Sequence, residues 1–254
     1  MPETGYVSSH TEHGITTIEF FHPKSNSLPL KMLDELTQEI HYAGNHDTRV
    51  VILKSAGDNA FCAGASFDEL SAIKNEKEGQ NFFQGFANVI NAMRKCNKFI
   101  IGRIQGKCVG GGVGLAAAVD YAIAINKTEI KLSELSIGIG PFVVGPAIER
   151  KIGTSAFSQL AIDATLWRNA DWAKKKGLFA EVHETVQNMD ESVYRLANSL
   201  AHSSPEAIAE MKKMFWKGTE NWDALLNERA AISGKLILND FSKNAIEKFK
   251  LKIK

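Results

Sequence analysis

The chain has 254 residues, 44% of them hydrophobic and 23% charged, with a formal net charge of +1. This composition excludes a disordered chain, and the near-neutral balance gives no electrostatic reason to expect a nucleic acid or an anionic membrane as partner. The length fits one domain, or one domain with an appendage, and is enough to bury a sizeable core.

In chain order, residues 14–20 are rich in β-branched side chains and read as a strand. Residues 23–29 carry turn formers and read as a loop. Leu33, Leu36 and Ile40 recur at helical spacing within residues 30–42. Residues 50–53 are a short apolar run, a buried strand ended by Gly57, Asp58 and Asn59. A loop of small residues at 61–66 leads into one or two helical turns over 67–73, then a long helix over 78–96. Residues 99–104 form the next strand; the glycine cluster at 110–114 opens a short helix; 120–125 is a further buried strand and 129–133 a short one. From Val143 the pattern is almost wholly helical, over 155–163, 170–176, 187–202, 205–217, 222–234 and 239–249, with a strand near 179–182. Alternation of strands and helices followed by helices alone predicts an α/β core with a helical C-terminal extension.

Cys62, Cys96 and Cys108 form no CxxC pair and leave one thiol over, which fits reduced thiols in a cytosol. Residues 1–13 are polar and lack the apolar region of a secretory signal. No run approaches the ~18 apolar residues of a membrane span. The expectation is a soluble cytoplasmic protein that meets neither nucleic acid nor membrane.

The most informative stretch is Gly110-Gly111-Gly112-Val113-Gly114 with the Leu-Ala-Ala-Ala that follows. Glycine weakens any regular element, so such a cluster signals an unusual backbone path or a close approach. The helix start behind it offers free N–H groups and a partial positive charge, together an anion site built from backbone. Residues 61–66 stand in the same relation to a strand and a helix. If the two strands are neighbours, two N–H groups can share one oxygen, a minimal oxyanion hole. Neither loop contains a lysine or arginine to meet a phosphate dianion. A thioester carbonyl turning into an enolate is the better match.

Other chemistries fit less well. Residues 112–117 match GxGxxA with Glu134 22 residues beyond Gly112, but the next strand begins too soon for the crossover helix of a dinucleotide fold. A P-loop would need Gly-Lys-Ser/Thr, and a serine triad would need its GxSxG elbow. His10 and His13 have ligand-like spacing but fall in a segment expected to fray, and the remaining histidines form no HExxH, so no metal site is expected. Cys62 reads as a small core residue and residues 174–176 as a solvated helix face.

These residues resemble the crotonase, or enoyl-CoA hydratase/isomerase, superfamily. Phe61-Cys-Ala-Gly-Ala-Ser-Phe67 is similar to its first oxyanion and CoA loop, and Gln105-Gly-Lys-Cys-Val-Gly-Gly-Gly-Val-Gly-Leu115 to its second. Ser133-Glu-Leu-Ser-Ile-Gly138 resembles the segment with a catalytic glutamate, and residues 23–28, with Lys24 and Asn26, the early loop at the CoA site. The resemblance implies a crotonase-like core of repeated ββα turns over residues 1–200 and a C-terminal helical oligomerisation region over 201–254. It implies a homotrimer or a dimer of trimers, and coenzyme A carried as part of an acyl-CoA substrate with no separate cofactor. By motif position the oxyanion donors are the backbone amides of Ala65 and Gly111, the proton carrier is Glu134, and Lys24, Asn26, Ala63, Ala65, Ser66 and Phe67 lie along the CoA.

Three positions depart from the family pattern. Gly114 stands where hydratases with two acids carry a glutamate, Ser66 replaces an acid, and Pro141-Phe-Val-Val-Gly-Pro146 replaces a Pro-Gly-x-Gly-Gly segment. That Pro141–Pro146 segment, together with Gly110-Gly-Gly-Val-Gly-Leu115, resembles a methylglutaconyl-CoA hydratase-like branch. Gly114 and Pro141 are therefore expected at the acyl pocket, with room left beside Gly114. Leu132, Leu135 and Ile137 are expected to surround Glu134 and raise its pKa toward neutrality. The leading expectation is reversible hydration of a short or branched 2-enoyl-CoA, 3-methylglutaconyl-CoA among the candidates, by a single glutamate. Double-bond isomerisation and decarboxylation of an acyl-CoA share the same hole, and a non-catalytic CoA-thioester-binding subunit is the alternative from another class.

Overall fold

The computed structural model describes residues 4–253, the last four by backbone alone. The chain opens with β1 (Tyr6–Glu12), β2 (Ile15–Phe21) and α1 (Leu30–Asn45), then β3 (Val50–Ser55), β4 (Ala60–Cys62), α2 (Phe67–Ala72) and α3 (Glu76–Lys95). There follow β5 (Phe99–Ile104), β6 (Lys107–Val109), α4 (Gly111–Ala118), β7 (Tyr121–Ile125), β8 (Glu129–Lys131) and a 3-10 turn at Glu134–Ile137. The remainder is α5 (Gly145–Ile162), β9 (Arg168–Asn169), α6 (Ala170–Lys175), β10 (Glu181–His183), α7 (Val186–Ala201), α8 (Pro205–Phe215), α9 (Trp222–Leu236) and α10 (Asp240–Ile253).

Two sheets share these strands. The larger runs β1-β2-β3-β5-β7-β10 and the smaller β4-β6-β8-β9. Among the described residues, β1–β2 and β8–β9 are the antiparallel pairs and the remaining pairs are parallel. Each of the pairs β3/β4, β5/β6 and β7/β8 gives its first strand to the large sheet and its second to the small one before a helix follows. This is the repeated ββα turn that the resemblance implied.

The central strands of the large sheet, β3, β5 and β7, are buried on both faces, and their side chains alternate accordingly. Val51 and Leu53 of β3, Ile100 of β5 and Ala122 of β7 join the main core, while Val50, Ile52, Ile101 and Ile123 meet Met189, Val193 and Ala197 of α7 on the other face. The C-terminal helices share the main core through Trp216, Trp222, Leu226, Ala230 and Ile246. Helices α3 and α9 cross at a glycine pair: a Cβ on Gly79 would stand 2.7 Å from Gly234 Cα. Between α8 and the sheet, Asp120 accepts from Lys212 Nζ at 2.6 Å, Trp216 Nε1 at 3.2 Å and the Ile100 amide at 2.8 Å.

Several boundaries differ from the sequence expectation. The segment with His10 does not fray: it is β1, paired along its length with β2, His10 opposite Thr17. His13 sits in the connecting turn at φ 50°. This strand lies at a sheet edge and faces solvent, so its sequence carries no apolar alternation. Strands β4, β6 and β9 have two or three residues each, too few for a period to show. Helix α5 starts ten residues before the expected 155 and turns a corner at Gly153, whose φ of 76° no other residue type adopts easily.

Candidate active site

The first loop leaves β4 through Ala63, Gly64 and Ala65. Leu28 braces it in parallel: the Leu28 amide donates to Gly64 O at 2.7 Å and the Ser66 amide to Leu28 O at 3.2 Å. The amide of the intervening Ala65 therefore faces away from Leu28. Gly64 holds φ at 86°. The second loop leaves β6, which pairs in parallel with β4, Cys62 opposite Cys108. Gly110 holds φ at 53°, and its carbonyl accepts from Val113 N at 2.9 Å to start α4. Gly111 is the first residue of that helix, so its amide has no acceptor within the helix.

The glycines let these loops touch. A Cβ on Gly64 would lie 2.7 Å from Val109 O and 3.2 Å from Gly111 N. One on Gly112 would collide with Cys62 O, and one on Gly111 with the Phe86 ring. On Gly110 it would stand 2.8 Å from Glu134 Oε1, so the carboxyl rests against the second loop.

Glu134 opens the 3-10 turn after β8, held by the Ile139 amide on its carbonyl at 3.1 Å and by Gly138 in the left-handed region. The residue as a whole is half-buried, yet its carboxyl is enclosed and Oε2 has no hydrogen-bond partner among the described residues. Removal from water pushes the pKa up to about 7, against a smaller opposing hydrogen bond from its own backbone. The cause, apolar enclosure, is the one expected, but the neighbours differ in part: Ile137 walls the cavity with Phe86, Ile139 and Val143, Leu132 is buried outside the lining, and Leu135 is 52% exposed and points out to solvent.

One small cavity, of about 60 Å³, collects the loops and the glutamate. Of the residues singled out in the sequence, Ala63, Ala65, Phe67, Gly111, Glu134 and Pro141 line it. Four do not. Asn26 is buried and spends its amide on the scaffold, donating to Ala56 O at 2.8 Å and Ala60 O at 2.9 Å while accepting from the His22 amide at 2.8 Å. Ser66 is buried as the N-cap of α2, where it accepts from Glu69 N. Lys24 is exposed and paired with Asp68. The room expected beside Gly114 does not exist, because α4 packs against the start of α5 and a Cβ there would stand 2.5 Å from Val144 Cγ1.

The described lining contains no lysine, arginine or histidine. Cys62 lies behind the first loop with its thiol pushed up to about 12 by burial, too high for a nucleophile. Helix α10 closes the outside: Phe249 stacks on Phe67 at 4.3 Å, and Ser242 packs on Gly138. The sequence carries no signal for Ser233, which α9 brings into the lining from far along the chain.

Two strand–loop–helix units meet at one enclosed carboxyl, and the family model for enoyl-CoA hydratase/isomerase matches residues 10–253. The chain belongs to that family. As a member of the enoyl-CoA hydratase/isomerase family it is an enzyme, not a passive CoA-thioester-binding subunit. It is 27% identical over 253 residues to a short-chain-enoyl-CoA hydratase of Clostridium acetobutylicum, covering 97% of this chain and 95% of that one. It is 27% identical over 207 residues to a carnitinyl-CoA dehydratase of Proteus mirabilis, covering 81% of this chain and 78% of the other. The crystal structure of an enoyl-CoA hydratase from Bacillus halodurans superposes with a TM-score of 0.88 at 21% identity, over 96% of this chain and 99% of that chain.

Proposed function

We propose that this enzyme catalyses the reversible hydration of a short 2-enoyl-CoA with a neutral acyl group. The observation that carries the reading is the Glu134 carboxyl, enclosed and partnerless, resting on the loop that presents Gly111. The Ala65 and Gly111 amides act as the oxyanion hole for the thioester oxygen. In hydration, ionised Glu134 takes a proton from water as its oxygen adds to the β-carbon; the electron pair moves to the thioester oxygen. The enolate then takes that proton from Glu134 at the α-carbon, and the carboxylate is restored. Dehydration retraces these steps.

Similarity to the short-chain-enoyl-CoA hydratase supports the acyl length. A carboxylated group such as 3-methylglutaconyl would bring a second anion into a lining without a cation. Ala63 and Phe67, which line the cavity, and exposed Lys24 on the early loop are assigned as the CoA-side contacts. Isomerisation is the second reading, favoured by Glu134 being the only ionisable side chain in the described lining. One base suffices to move a proton between α- and γ-carbons. We further assign the assembly as a homotrimer or dimer of trimers, with Ile232 of α9 and Phe241 of α10 among the exposed apolar side chains for contacts. The three free, buried thiols support a cytoplasmic location.

Separate incubations with crotonyl-CoA, 3-methylglutaconyl-CoA and a 3-enoyl-CoA, followed by chromatography of products, test the reading. 3-Hydroxybutyryl-CoA from crotonyl-CoA is expected. Its absence, with 2-enoyl product from the 3-enoyl substrate, would establish the isomerase instead.

A further inference from the structure

A second cavity, of about 400 Å³, lies at the opposite end of α4, away from Glu134. Its size falls inside the ~300–1,000 Å³ range common for small-molecule sites. Phe99 and Ile101 of β5, Leu196 and Leu200 of α7, and Met211 and Phe215 of α8 supply an apolar wall. Three charged groups, Asp120, Arg150 and Lys151, also line it, with the Tyr121 phenol beside them.

Their charges do not cancel. The Asp120 carboxylate is consumed on both oxygens, by Lys212 and the Ile100 amide on Oδ2 and by Trp216 on Oδ1. Lys151 Nζ donates to two carbonyls, Val119 O and Asp120 O, both at 2.9 Å, which leaves one of its three protons free; the Asp120 carboxylate acts on it through space and accepts no hydrogen bond from it. Burial brings this ammonium down to about 8, the mark of a cation short of compensation. Arg150 lies over the Trp216 ring at 4.5 Å, and its N–H groups have no acceptor among the described residues. Two cations therefore remain at the edge of an apolar hollow, beside one carboxylate already neutralised by a third.

We propose that this cavity binds an anionic amphiphile, a medium-chain carboxylate, with its head on Arg150 and Lys151 and its tail along Phe99, Leu200 and Phe215. The head supplies the charge that the fold leaves unmatched, and the tail covers apolar surface that is otherwise wet. Ala117, near the C-terminal end of α4, touches this cavity, while Gly111 at the start of the same helix touches the catalytic one.

Isothermal titration calorimetry of the full chain with octanoate, 1-octanol and octyltrimethylammonium tests the assignment. One octanoate per chain is expected, at least about ten-fold tighter than the neutral or cationic analogue. Arg150→Gln, an exposed position, should weaken octanoate about ten-fold with turnover of enoyl-CoA unchanged. Leu200→Trp should fill the hollow and abolish binding, and Glu134→Gln should leave it intact. Binding lost in Glu134→Gln but kept in Leu200→Trp would put octanoate in the catalytic cavity and overturn the proposal. So would no binding at millimolar octanoate, or equal affinity for the alcohol. A fall in molar mass by light scattering in Arg150→Gln would also overturn it, by showing that a second copy of the chain covers this face.

Discussion

Glu134 is held in a position that favours chemistry over stability. Its folded pKa of about 7 lies above the 4.5 of a free glutamate, so the folded state keeps a proton that the unfolded chain gives up between those values. Stability therefore falls as pH rises through that window and stays lower above it. Glu134→Gln removes the charge without changing the shape. We expect it to lower turnover by ~10²-fold or more while raising the melting temperature at pH 8 and changing it little at pH 4. Paired activity and calorimetry measurements check both halves. On the proposed mechanism the wild-type reaction starts from the Glu134 carboxylate, so kcat/KM is expected to climb with pH below about 7 and level off above it. Gly110→Ala adds strain at φ 53° and places a methyl against Glu134 Oε1. A misplacement of this order costs ~10²-fold in rate, and a comparable loss with an intact circular dichroism spectrum is expected. The glutamate and both glycine loops were legible in the sequence. Val144, which fills the space beside Gly114, was not, because the contact joins two helices whose relative placement no local pattern states.

At the scale of elements, the site depends on short pieces. Strands β4 and β6 have three residues each, and the small sheet has one strand of two. Their pairing brings two loops together that are separated by the whole of α3. Length explains what the sequence hid: long amphipathic helices such as α3 and α7 announce themselves, whereas a three-residue strand leaves no period. The glycine runs remained readable because a close backbone approach excludes every other side chain. The same rule operates where α3 crosses α9. A Cβ on Gly234 would lie 2.8 Å from Gly79 C, against backbone that cannot rotate aside. Gly234→Ala should destabilise by about 1–3 kcal/mol through overpacking, read as a lower denaturant midpoint. Because α9 also carries Ser233 into the catalytic cavity, turnover should fall together with stability.

For the molecule as a whole, the alternation of strands and helices foretold an α/β core, and the motif resemblance supplied its ββα form. The division of strands between two sheets could not be read from periodicity, since every apolar strand looks alike until its neighbours are known. The buried Lys212–Asp120 pair fastens α8 to the N-terminal ends of β5 and β7. Lys212→Met would leave Asp120 with a charge and only uncharged donors. Removing one partner of such a pair costs about 3–5 kcal/mol, so a clear drop in melting temperature is expected, larger than that from changing the exposed Lys213.

The crossing of Gly79 and Gly234 also bears on how the polypeptide is held after damage. Backbone on backbone leaves no gap for water to enter, and Trp222, Leu226 and Ala230 extend the buried face of α9 on the N-terminal side of the crossing. A protease cutting the exposed turn at residues 202–204 would sever one peptide bond and leave the two fragments clasped. The catalytic cavity, roofed by helices from beyond that cut, would then remain assembled from two polypeptides as it was from one.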